Sequence, residues 1–180
     1  MKNKALFLDR DGVINKDNGY TYRIEDFIFI NGIFDLCKKA ILSKFMIIVI
    51  TNQSGISRDL YSEGDFEILT EYMINEFKKN RIKISKVYYC PYHNEFPKPE
   101  YSHLKNHRKP SPGMIFDAKK EFNLSLKNSI LIGDKISDVQ AGVNSGVKNN
   151  FLFSKEPNEK NNQYKIIRDF SKESLDLIFS

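Results

Sequence analysis

The chain has 180 residues, enough for one domain with a full hydrophobic core and too few for two of ordinary size. Hydrophobic residues make up 41% and charged residues 28%, which excludes the charge-rich, aromatic-poor composition of a disordered chain. The formal net charge of +5 favours anionic partners in general, but the basic residues are scattered and no DNA- or RNA-recognition motif is present, so no nucleic-acid partner is expected.

Lys2, Asn3 and Lys4 precede only four apolar residues before Asp9. That is neither a signal-peptide core nor a membrane span, so a cytoplasmic protein without a membrane partner is expected. Two cysteines, Cys37 and Cys90, cannot build a disulfide framework and read as reduced thiols. Ala5 to Leu8 is a short apolar run of the kind buried in a parallel sheet, and Phe45 to Ile50 repeats it more strongly. Lys86 to Cys90, Ser129 to Ile132 and the weaker Phe151 to Phe153 follow. Helical spacing marks Ile33 to Leu42, Glu63 to Lys79, Pro112 to Phe122 and Ser137 to Ser145. Pro112 suits a first helical turn and Gly146 the residue after a helix end. Asn158 to Gln163 reads as a loose polar loop, and Lys172 to Phe179 as a last helix covering the sheet.

Strands alternating with helices predict a doubly wound α/β domain with a mainly parallel sheet, spanning residues 1–180 as one unit. Ligands of such sheets bind beyond the carboxyl ends of the strands. There the chain places Asp9 and Asp11 after the first strand, Thr51 and Asn52 after the second, and Asp134 and Asp138 after the fourth. Carboxylates crowded in this way repel unless a cation joins them. Magnesium takes hard oxygen ligands, so Asp9, Asp11 through its backbone carbonyl and Asp134 form a candidate site. Asp9 can then attack phosphorus, while Asp11 protonates the leaving oxygen and later deprotonates water. Thr51, Asn52 and Lys109 are suitable donors to phosphoryl oxygens. Asp138, one helical turn past Asp134, suits a helix-start or loop-orienting role better than metal ligation.

The segments Asp9-Arg10-Asp11-Gly12-Val13-Ile14-Asn15, Thr51-Asn52-Gln53-Ser54-Gly55, Arg108-Lys109-Pro110 and Gly133-Asp134-Lys135 with Asp138 resemble the four motifs of the haloacid dehalogenase superfamily. They are most similar to its heptose 1,7-bisphosphate phosphatases and the related histidinol-phosphate phosphatases. The resemblance covers about residues 4 to 155 and implies a haloacid-dehalogenase-like Rossmannoid fold and a magnesium-dependent phosphatase. By the same resemblance Asp9 is the nucleophile, Asp11 the acid/base, and Thr51, Asn52 and Lys109 hold the phosphoryl group. Substrate contacts are implied at Asp17, Asn18, Gly19, Tyr20, Gln53, Ser54, Arg108 and Lys135. Many relatives insert a cap domain after the first or second motif, but the spacings here leave no room for one. An open site is expected, with specificity on the surrounding loops.

All three histidines and Cys90 fall between residues 90 and 107. Cys90, His93, His103 and His107 can in principle supply four zinc ligands. The heptose phosphatases carry a zinc loop here, yet in that register this chain has Cys90, Tyr92, Lys105 and His107. Two readings stand: His93 and His103 substitute as ligands, or the loop has lost its metal and is held by packing of Phe96, Pro97, Pro99 and Tyr101.

The resemblance implies removal of the 7-phosphate from a phosphorylated heptose in cell-surface sugar or lipopolysaccharide assembly, with the retained 1-phosphate against Arg108 and Lys135. Histidinol phosphate is the alternative substrate. A non-catalytic phosphate-binding domain is the alternative of a different class. No coiled coil or large apolar helix face stands out, so a monomer is expected.

Overall fold

The computed structural model describes residues 2–156 and 162–180. Most of the Asn158 to Gln163 segment therefore lies outside the described residues. The strands are β1 (Ala5–Leu8), β2 (Met46–Asn52), β3 (Ile84–Cys90), β4 (Ile130–Gly133), β5 (Asn149–Phe153) and β6 (Lys165–Ile167). They form one parallel sheet in the order β3-β2-β1-β4-β5-β6. The helices are α1 (Ile33–Leu42), α2 (Glu63–Lys79), α3 (Gly113–Phe122), α4 (Ile136–Ser145) and α5 (Lys172–Ile178).

Alternation along the buried strands divides the core in two. Leu6, Leu8, Ile47, Val49, Ile130 and Ile132 face the apolar stripes of α1, α2 and α5. Ala5, Phe7, Ile48, Ile50 and Leu131 face those of α3 and α4. The expected strands and helices are present within a few residues of their predicted ends. Gly146 closes α4 in the left-handed conformation, and Pro112 is the residue before α3 rather than in its first turn. β6 was not foreseen. It is three residues long with only Ile167 buried, too short to show alternation.

The chain runs outward from β1 to β2 and β3, then returns to the opposite side of β1 with β4. The strand order thus reverses between β1 and β4, and the crevice that such a reversal opens lies where Asp9 and Asp134 leave the sheet.

Candidate active site

Asp9 follows the last residue of β1 and is tied to β4 by its backbone N–H to the Ile132 carbonyl, 3.0 Å. The chain then turns sharply around the Arg10 carbonyl, which accepts from the Ile14 and Asn15 N–H groups at 2.8 and 3.1 Å. Gly12 makes the turn feasible. Its φ is +92°, and a Cβ there would lie 2.2 Å from Asp134 Oδ2, so the turn packs directly against the carboxylate leaving β4.

Lys109 crosses from the loop before α3 into this corner. Its ammonium lies 2.7 Å from Asp9 Oδ1, 2.8 Å from Asp138 Oδ1 and 2.9 Å from the Ile50 carbonyl, with all three side chains almost wholly buried. Burial alone would lower the Lys109 pKa, but Asp138 and Asp9 carry it above the ordinary lysine value. Asn52 holds the Lys109 backbone in a reciprocal pair, accepting from its N–H at 3.0 Å and donating to its carbonyl at 3.2 Å. Asp138 accepts from the Lys135 N–H at 2.9 Å, so the helix-start role expected for it is present together with the Lys109 ion pair.

Carboxylate oxygens of Asp9, Asp134 and Asp138 lie within 4.8 Å of one another. Desolvation first, and repulsion from neighbouring carboxylates second, raise Asp134 to about 8; burial raises Asp9 as well, against the pull of Lys109. Asp134 Oδ1 is buried without a hydrogen-bond partner. An orphaned carboxylate oxygen amid excess negative charge fits a hard divalent cation.

Asp11 faces the same cleft. Its carboxylate accepts from Arg10 Nε and Nη2 at 3.1 and 3.0 Å, from Asn15 Nδ2 at 3.0 Å and from Gln53 Nε2 at 3.0 Å. The cleft has a volume of about 460 Å³. Asp17, Gly19, Tyr20, Thr51, Asn52, Gln53, Ser54, Arg108, Lys109 and Lys135 line it with Asp9 and Asp11. Asn18 does not; it is exposed and its nearest partner is the Asp26 carbonyl. Asp17 and Lys135 pair at 2.9 Å, and although burial opposes ionisation, that bond and the Gly19 N–H lower the Asp17 pKa. Arg108 donates to the Tyr92 carbonyl at 3.0 Å. Pro110, Ser137 and Tyr61 also line the cleft. Tyr61 was missed because it lies in a loop outside every motif, eight positions beyond Gln53.

The zinc reading of Cys90, His93, His103 and His107 finds no support in the structure. Among the described residues the one cluster with metal-ligand spacing is the aspartate group. Cys90 is buried against the Leu104 carbonyl, His93 Nε2 meets Arg58 at 3.0 Å, His107 meets Asp117 at 2.8 Å, and His103 is exposed. The loop is held by packing instead. Tyr101 reaches both the α3 side of the core and the Ile56–Phe66 cluster, and Phe96 lies under the Arg58 guanidinium, 4.1 Å from its ring centre.

A family model for HAD-hydrolase-like proteins matches residues 106–152, which contain Lys109, Asp134 and Asp138. A D-glycero-alpha-D-manno-heptose-1,7-bisphosphate 7-phosphatase of Campylobacter jejuni is 49% identical over 88% of this chain and 87% of its own. The chain belongs to the haloacid dehalogenase superfamily, in its heptose-bisphosphate phosphatase branch. A D-glycero-beta-D-manno-heptose-1,7-bisphosphate 7-phosphatase of Helicobacter pylori is 44% identical over 98% of both chains. The crystal structure of D,D-heptose 1,7-bisphosphate phosphatase from B. bronchiseptica, complexed with magnesium and phosphate, has the same fold, with a TM-score of 0.78, 22% identity and 97% coverage of each chain.

Proposed function

We propose that this superfamily member is a phosphomonoesterase that removes the 7-phosphate of D-glycero-D-manno-heptose 1,7-bisphosphate. The observation that carries the reading is the convergence of all four sequence motifs on one polar cleft, in a chain 49% identical to a relative of that name. The cleft volume lies in the range of small-ligand sites, and its charged walls suit a sugar phosphate.

Asp9 attacks phosphorus, forming an acyl phosphate as the P–O ester bond breaks. The departing sugar oxygen takes its proton from Asp11, which then accepts a proton from the water that hydrolyses the acyl phosphate. Lys109 has an acceptor for each of its three N–H groups, so it serves the phosphoryl group mainly through charge, and Asn52 keeps it in place. Thr51 Oγ1 accepts from Gln53 Nε2 at 2.7 Å, which leaves its own proton to donate to a phosphoryl oxygen. Asp9, Asp134 and the Asp11 carbonyl would hold magnesium. When bound, the ion supplies positive charge that offsets repulsion between an anionic nucleophile and an anionic ester. Arg108 lines the cleft and would take the retained phosphate, for which a guanidinium is well matched.

The relatives' names include both anomers, so the test offers both. Phosphate release is measured with magnesium and with EDTA from the α and β heptose bisphosphates and from histidinol phosphate, with Asp9→Asn as blank. Magnesium-dependent release favouring a heptose bisphosphate is expected. Preference for histidinol phosphate would overturn the substrate, and no release above the blank would overturn the enzyme.

A further inference from the structure

We infer that Tyr61 is a positioning residue for the acid/base Asp11, acting through the side-chain amide of Gln53. The inference rests on the phosphatase reading and reassigns Gln53, which the family resemblance casts as a substrate contact. Gln53 is 1% exposed and both ends of its amide are occupied. Nε2 donates to Asp11 Oδ2 at 3.0 Å and to Thr51 Oγ1 at 2.7 Å, while Oε1 accepts from the Tyr61 hydroxyl at 2.6 Å. One amide therefore connects the proton donor with the phosphoryl-binding hydroxyl.

Which way round the amide sits decides its effect. With Nε2 toward Asp11 it donates to a carboxylate; turned over, it would press a carbonyl oxygen against one. Tyr61 favours the first arrangement. Its hydroxyl donates to Gln53 Oε1 at 2.6 Å, and burial raises the phenol so that the proton is retained.

Tyr61 is itself fixed. Its ring stacks on Tyr22 with centroids 5.4 Å apart and planes 10° apart. A Cβ on Gly55 would come within 2.1 Å of its Cε1, so the ring seats directly on backbone. Preorganisation at this distance matters because a general acid works only within hydrogen-bond reach of the leaving oxygen.

The test uses Tyr61→Phe, which keeps the ring and its stacking, and Gln53→Leu, with unchanged circular dichroism as the check on folding. General-acid help is needed for a sugar-phosphate ester, whose alkoxide is a poor leaving group, and hardly at all for p-nitrophenyl phosphate. The expected result for Tyr61→Phe is a fall in kcat of about 10-fold on the heptose bisphosphate. On p-nitrophenyl phosphate the change should be below about 2-fold, with KM unchanged on both. Gln53→Leu should slow the heptose bisphosphate further and, because Thr51 also loses its Nε2 partner, slow p-nitrophenyl phosphate as well. An active wild type with Tyr61→Phe unaffected, or slowed equally on both esters, would overturn the positioning role alone. A wild type inactive on both esters would overturn the phosphatase reading and this inference with it.

Discussion

The ammonium of Lys109 is in contact with two carboxylates that are themselves buried, Asp9 and Asp138. Its removal leaves both without their cation, and breaking a buried pair in this way costs about 3–5 kcal/mol. Lys109→Met should therefore abolish phosphate release and lower stability by that order in EDTA near neutral pH. The loss should shrink near pH 5, where Asp9, whose pKa burial already raises, can take up a proton. Urea denaturation at the two pH values checks this, and a loss that is small or independent of pH would count against the ion pair as the source of stability. The acidic residues were legible in the sequence because each stands at the end of an apolar strand. Gln53 was legible only as a candidate substrate contact and Tyr61 not at all, because a loop tyrosine carries no periodicity and the roles of both depend on which atoms face one another.

At the scale of elements, α2 shows how local chemistry sets an end. Ser62 Oγ accepts from the Asp65 N–H at 3.1 Å, and Asp65 returns a bond to the Ser62 N–H at 2.8 Å. Ser62→Ala should cost about 1 kcal/mol, read as a lower urea midpoint with an unchanged slope. The segment from β3 to Lys109 is harder to read from sequence, because ligand-type residues at metal spacings do not disclose whether they converge. Cys90 and His107 turn to the Leu104 carbonyl and Asp117, and the loop draws its order from Tyr101, Phe96 and Arg58. Protein purified from zinc-supplemented medium should thus hold far less than one zinc per chain by elemental mass spectrometry. Cys90→Ala should cost only about 1 kcal/mol, the packing of a small buried side chain. Stoichiometric zinc lost from Cys90→Ala would reinstate a metal-held loop.

Over the whole molecule, the sheet places the carboxylates of two neighbouring strands, β1 and β4, at one reversal of strand order. That arrangement was foreseeable from strand–helix alternation, whereas the sixth strand was not. It should also make the stability of the entire fold respond to protons and magnesium together. Asp134, raised to about 8, and Asp9, raised by burial, bind protons in the folded chain at pH values where an unfolded aspartate has already lost them. Where the folded state holds more protons than the unfolded one, stability falls as pH rises. The window runs from the ordinary carboxylate range to about pH 8, so without metal these aspartates should oppose folding most at its upper end. Magnesium held by their ionised form would stabilise the folded state by about 2.7 kcal/mol at a hundred times its dissociation constant. Because ligation must displace the retained protons, the gain should be larger near pH 8 than near pH 5.5. Thermal melts with magnesium or EDTA at both pH values test this. A larger gain at the acid end would place the stabilising ion away from Asp9 and Asp134, and so would an undiminished gain in Asp134→Asn.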